Sequence, residues 1–302
     1  MASMTPVEYR QRYLSIPVVA GGQSRTVRVE IYRIGEPDAA KSTLWSHLKD
    51  HFRVNKKRDP GYRLTLRVNN TDESFFSETD LLRRVVNPYY GKGSPEDCQI
   101  TLEVAVVLGL TTIDRVQDYA NAHIGLDCNG FVGNYIWHER QGHAWNTWPG
   151  DGDTDPGPSS NIAWIWNWVK RNGREIKTVD EMTPSKMYVL AMLDSSLKII
   201  PGGPNSPSGH ICITEPNRFM ARSFTFDTMG FLDLGLAKKG AYGHPAYWTI
   251  ESTGPEMKVG LKESWYAIRT HERTKGSPVP GVFNVFRGSK STSLKFRIAE
   301  LR

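Results

Sequence analysis

From residue 187 to the C-terminus the chain is patterned as β-structure, whereas helical spacing dominates several segments before it. Residues 188–193 form a short apolar run of strand length. Residues 210–214 and 220–227 flank a Glu215-Pro216-Asn217-Arg218 turn, and 247–251 and 265–269 add two further strands. The expected hairpin around 215–218 sets His210, Cys212 and Thr214 on one face and Ile211 and Ile213 on the other. A chain divided in this way needs a fold that holds both helices and a substantial sheet.

The first 92 residues read as a small α+β unit. Residues 26–34 alternate apolar and polar, 42–54 carry apolar residues near helical spacing behind a Ser/Thr start, 63–68 alternate again, and Ser77 is placed to cap a short helix. Residues 88–97 (PYYGKGSPED) mark a boundary, with Ser94-Pro95-Glu96 as a helix start. Residues 101–110 are readable either way, since their β-branched content favours strand and the cap favours helix. This gives an accessory domain over 1–92 and a second domain over 93–302. Within the second, 143–186 reads as a Trp-rich insertion. Six tryptophans fall between 137 and 168, namely Trp137, Trp145, Trp148, Trp164, Trp166 and Trp168. Those of 161–172, a helix by its pattern, alternate too tightly for one helical face.

A length of 302 residues gives a prior of about two domains. It also allows a core large enough to need no disulfide or metal staple. The net charge of +6 is mild and scattered, which assigns no nucleic-acid partner. No apolar stretch approaches the roughly 20 residues of a membrane span, and the N-terminus lacks a secretory signal pattern. Three cysteines, Cys98, Cys128 and Cys212, do not make a disulfide framework.

Cys128 stands apart from the other two. Residues 128–141 recur at helical spacing through Phe131, Val132, Tyr135 and Ile136, Asp127 is placed as N-cap, and Gly142 as the stop. A cysteine in the first turn faces unpaired N–H groups and the positive end of the helix dipole. Both lower the thiol pKa, and the thiolate is the nucleophile. Such a nucleophile needs a base, and His210, opening a strand after Gly209, is the best placed of eight histidines. A third group must orient the imidazole. The expected hairpin puts Asp227 and Ser223 near His210 and favours Asp227 for its charge, with Glu215 and Asn217 as the other candidates.

The segment Leu126-Asp127-Cys128-Asn129-Gly130-Phe131-Val132 resembles the Asp-Cys-Ser-Gly-Leu/Phe-Val signature of the NlpC/P60 cysteine peptidases. Gly209-His210-Ile211-Cys212-Ile213 is similar to their second signature, and the order Cys, His, polar residue also matches the related CHAP amidases. The resemblance spans about 111–252 with gaps. Asn129 stands where the family has Ser, and the Cys-to-His distance is long. The resemblance implies a papain-like α+β domain, in which a helix bearing Cys128 packs on an antiparallel sheet bearing His210. It implies hydrolysis of amide bonds, mostly in peptidoglycan stem peptides, by Cys128, His210 and Asp227. The Cys128 N–H would contribute to the oxyanion hole and Tyr119 would donate a further hydrogen bond. It calls for no metal or cofactor.

Trp145 and Trp148 are expected nearest the cleft. An acyltransferase, thioesterase or deamidase using the same thiol, or a catalytically inactive wall-binding module, are the alternative functions. Export by lysis or a dedicated secretion machine, or a cytoplasmic substrate, are all compatible with the N-terminus, and oligomeric state is not specified. The Asp151-Asp153-Asp155 run fails the calcium-loop pattern, having Pro156 and Ile162 where Gly and Glu are required. His138-Glu139 fails the zinc-protease pattern because the next histidine is His143.

Overall fold

A computed structural model describes residues 4–34, 39–68, 73–145, 147, 155–201, 209–220, 244–254, 258–272, 277–287 and 293–302. The N-terminal part holds α1 (Pro6–Leu14), the hairpin β1 (Ile16–Ala20) and β2 (Gln23–Val27), α2 (Ala39–Lys56), the hairpin β3 (Leu64–Arg67) and β4 (Glu73–Phe76), and α3 (Glu78–Arg84). There follow α4 (Pro95–Val107), α5 (Val116–His123), α6 (Cys128–Tyr135) and α7 (Ile162–Asn172). The strands β5 (Arg174–Glu175), β6 (Met187–Met192), β7 (Ile211–Met220), β8 (Ala246–Ser252), β9 (Leu261–Glu272), β10 (Pro278–Arg287) and β11 (Leu294–Leu301) complete the chain.

The sheet corrects the expected fold class. Strands β10, β9, β8, β7, β6 and β11 are antiparallel neighbours in that order, and β10 pairs back with β11 through Phe283↔Phe296 and Val285↔Leu294. The sheet therefore closes into a six-stranded antiparallel barrel, with β5 appended to β11. This is not the papain-like layering of a helix on a sheet. Closure removes the sheet's edges, and alternation along each strand then gives the barrel an inside. Tyr188, Leu190, Cys212, Tyr247, Tyr266, Ile268, Phe283, Val285, Phe296 and Ile298, drawn from all six strands, form one buried cluster that fills it.

The opposite face of β6–β8 meets the helices. Val189, Ala191, Ile211, Ile213 and Ile250 join Cys128, Phe131 and Val132 of α6 in a second cluster, which also contains Tyr9, Tyr13, Leu44, Phe52 and Leu66 from the N-terminal part. The apolar core is thus continuous across residue 92. Tyr9 packs its ring 5.9 Å from that of Phe131, and Tyr135 lies 5.5 Å from Tyr9 on the same face.

Helix α4 settles the ambiguous segment. Ser94 accepts from the Asp97 N–H, the Asp97 side chain accepts from the Ser94 N–H, and Pro95 takes the first helical position. Every residue from Pro95 to Ala105 is buried, so no amphipathic stripe was available to identify the helix.

The expected turn at 215–218 is not formed, and residues 221–227 of the expected return strand lie outside the described residues. β7 continues through those residues to Met220, with its pairing to β8 slipping between Thr214 and Phe219 and Asn217 at φ +62°. The Pro-Asn signal makes a bulge inside a strand rather than a turn between two.

Candidate active site

Helix α6 is aimed by contacts that precede it in the chain. Residues 30–33 run between Leu126 and residues 258–260. Tyr32 bridges to Leu126, Leu126 N–H donates to Ile31 O at 2.9 Å, and Gly260 N–H donates to Glu30 O at 2.8 Å. Ser252, at the end of β8, donates its hydroxyl to Leu126 O at 2.6 Å. Asp127 N–H then donates to Gly91 O at 3.0 Å, and the Asp127 carboxylate caps the helix by accepting from Gly130 N–H at 2.6 Å. Gly91 has φ +72°, and a Cβ on Gly130 would stand 1.9 Å from Gly91 O, so glycine at 130 lets the helix start abut this turn.

Cys128 occupies the first position of α6, as the sequence indicates, but its titration is opposite to expectation. Burial pushes the thiol up to about 12, and the neighbouring Asp127 carboxylate pushes the same way. The Ile211 and Asn129 peptide N–H groups and Lys92 favour the thiolate without matching that cost. Desolvation outweighs the hydrogen bonds and the Lys92 charge here. Lys92 Nζ lies 2.5 Å from Asp127 Oδ2 and so is engaged with the cap rather than with the sulfur alone. The thiol donates to Asn129 Oδ1 at 3.2 Å, and Asn129 Nδ2 donates to Ser160 O at 3.3 Å. Asn129 thereby ties the thiol to the segment leading into α7, and Cys128 is only 5% exposed.

His210 immediately precedes β7. The peptide N–H that follows it, that of Ile211, is one of the two that favour the Cys128 thiolate, which brings the start of β7 to the sulfur. The imidazole shares the barrel-facing side with Cys212, 6.4 Å from the ring of Phe296, and is 4% exposed. Its Nε2 lies 3.0 Å from Glu251 Oε2. Glu251 is itself held on both oxygens, since Ser264 Oγ donates to Oε1 at 2.9 Å and Tyr266 Oη donates to Oε2 at 2.6 Å. Tyr266 Oη also lies 3.3 Å from His210 Nε2. Glu251 is 3% exposed and Tyr266 fully buried.

Among the described residues, the carboxylate against His210 is Glu251. Asp227, Ser223 and Trp148 lie outside the described residues. Glu215 accepts from Val7 N–H at 2.8 Å, serving the start of α1, and Asn217 donates its N–H to Pro184 O at 2.7 Å. Tyr119 bonds Tyr89 Oη at 2.6 Å and lines a surface pocket on α5 with Arg115, Asp118 and His123. Trp145 packs beneath Arg84 and beside Phe76, 5.1 Å and 6.3 Å away, against the N-terminal part. Glu251 had a readable signal, as it ends the strand 247–251 in phase with Tyr247 and Thr249. Without the register of β7 to β8, that phase does not point to His210.

Among the described residues no three His, Cys, Asp or Glu side chains converge to hold a metal ion, and no helix is long and apolar enough to cross a membrane. No family model matches the chain, no curated protein matches it, and no solved structure matches it.

Proposed function

We propose that the chain is a cysteine hydrolase that cleaves amide bonds, with Cys128 as nucleophile, His210 as base and Glu251 as the group that orients the imidazole. The observation that carries this reading is the buried His210–Glu251 pair, 3.0 Å between Nε2 and Oε2, at the strand start whose next peptide N–H serves the Cys128 sulfur. A carboxylate on Nε2 makes that nitrogen the protonated one and leaves Nδ1 to act as base.

With the thiol pushed up to about 12, the sulfur rests protonated at neutral pH. Its proton moves to Nδ1 as the sulfur attacks the scissile carbonyl. The imidazolium, stabilised by Glu251, then protonates the leaving amine, and water hydrolyses the acyl-enzyme. The Cys128 N–H at the head of α6 is offered to the oxyanion. Peptidoglycan stem peptides are the proposed substrate class, supported by the likeness of residues 126–132 and 209–213 to the NlpC/P60 signatures.

Muropeptide release from purified sacculi by the wild type and by Cys128→Ala tests this. Release by the wild type and none by the variant is expected, and equal release by both overturns the reading.

A further inference from the structure

We infer that Tyr266 is a positioning residue that fixes the tautomer of His210, and that Ser264 assists it by anchoring the far oxygen of Glu251; this rests on the proposed role of His210 as base. The argument is one of proton count. A tyrosine hydroxyl has a single proton to donate. Tyr266 Oη lies 2.6 Å from Glu251 Oε2 and 3.3 Å from His210 Nε2. The shorter contact, to a carboxylate, takes the proton. The lone pairs of Oη are then turned toward Nε2, and a bare Nε2 would meet them lone pair to lone pair. A hydrogen on Nε2 removes that conflict and is shared between Oη and Glu251 Oε2, which lies 3.0 Å away. Nδ1 is then the nitrogen to which the proposed mechanism assigns the role of base.

Glu251 alone would favour the same tautomer but could rotate about its terminal torsion, which is broad for carboxylates. Ser264 on Oε1 and Tyr266 on Oε2 pin it from both sides. Both donors come from β9, and Ser264, Tyr266 and Glu251 all point into the barrel, where the β8–β9 register sets Ser264 opposite Thr249 and Tyr266 opposite Tyr247. The orientation of the base is thus built into the barrel wall rather than into a loop.

The test uses full-length protein with ¹⁵N-labelled histidine in a Cys128→Ala background, with the His210 signals identified by their loss in His210→Gln. The expected spectrum has a single neutral tautomer, protonated at Nε2. Adding Tyr266→Phe, which keeps the ring that fills the barrel, is expected to give averaged shifts for the two nitrogens, and Ser264→Ala a smaller change in the same direction. In the protein with Cys128 restored, Tyr266→Phe is expected to lower kcat about tenfold, the worth of roughly one charge-assisted hydrogen bond, with KM changed less than about twofold. An unchanged Nε2–H tautomer in both Tyr266→Phe and Ser264→Ala overturns the inference. Absence of muropeptide release by the wild type overturns the hydrolase reading instead, and leaves the spectra to decide the role of Tyr266.

Discussion

At Cys128 two effects of the fold oppose each other. The helix start supplies N–H groups and a favourable dipole, worth at most about 2 kcal/mol even when partly buried. Burial of a thiolate beside the Asp127 carboxylate costs more, and the thiol rises to about 12. A free cysteine titrates near 8.5. Alkylation of Cys128 by iodoacetamide, followed by peptide mapping to separate it from the buried Cys98 and Cys212, is therefore expected to accelerate about tenfold per pH unit through pH 9 without levelling. A plateau below pH 8 would show a thiolate already formed in the resting protein. Glu251 is the second residue where charge decides the outcome. Glu251→Gln keeps the size of the side chain and can retain the Tyr266 contact, but its amide can turn an N–H toward Nε2 and move the imidazole proton to Nδ1. Loss of the base and of a charged acceptor, about 2–3 kcal/mol, predicts a fall in kcat of roughly a hundredfold with the melting temperature nearly unchanged. Activity within a few-fold of wild type would remove Glu251 from the mechanism.

Among the elements, α6 shows how little tolerance surrounds the site. A methyl group at Gly130 would overlap Gly91 O at 1.9 Å, and that oxygen already accepts the Asp127 N–H. The obstacle is backbone held by another turn, so it cannot rotate aside. Gly130→Ala is expected to cost about 2–3 kcal/mol or more and to lower the melting temperature by several degrees, measured by thermal denaturation. A variant as stable as wild type would mean that the 88–93 turn can yield. The same element marks what was legible in the sequence. Asp127 as cap, Cys128 in the first turn, Phe131 and Val132 buried, and Gly142 at φ +70° after the helical run all follow from local rules. β6, β8 and the start of β7 were legible for the same reason. The partner of His210 was not, because it depends on register between strands separated by a long stretch of chain. The turn-like residues Glu215-Pro216-Asn217-Arg218 pointed to a hairpin, whereas β7 absorbs them as a bulge and pairs onward with β8. Barrel closure is equally non-local, since nothing in residues 278–287 or 294–301 taken alone reveals that they pair with each other.

For the molecule as a whole, packing the N-terminal part, the helices and the outer face of the barrel into one core carries a cost at α4. Its Glu103 is buried and accepts from Val19 N–H at 3.0 Å and from Gln99 Nε2 at 3.0 Å. Burial nevertheless lifts its pKa to about 7, the hydrogen bonds from Gln99 and the Val19 and Arg67 backbones opposing this only in part. On the same helix, burial raises Asp97 to about 6 despite the Arg84 guanidinium 3.0 Å away. A carboxyl whose pKa is higher folded than unfolded binds its proton more tightly in the native state. Well below pH 4.5 both states of Glu103 are protonated and folding carries no penalty. As pH rises from there to about 7 the unfolded chain ionises while the native one resists, so stability falls, and above 7 the full penalty, on the order of 3 kcal/mol, persists. Glu103→Gln keeps an oxygen acceptor for the Val19 and Gln99 donors and has no charge to desolvate. Its urea midpoint at pH 8 is therefore expected to exceed that of the wild type, with the two converging toward pH 4.5. Asp97 acts in the same direction over a lower range, so a residual decline up to about pH 6 is expected to survive in the variant. Parallel midpoint-against-pH curves for variant and wild type would show that Glu103 is ionised at no cost. The cost of a core continuous across residue 92 would then rest on Asp97 within α4 rather than on Glu103.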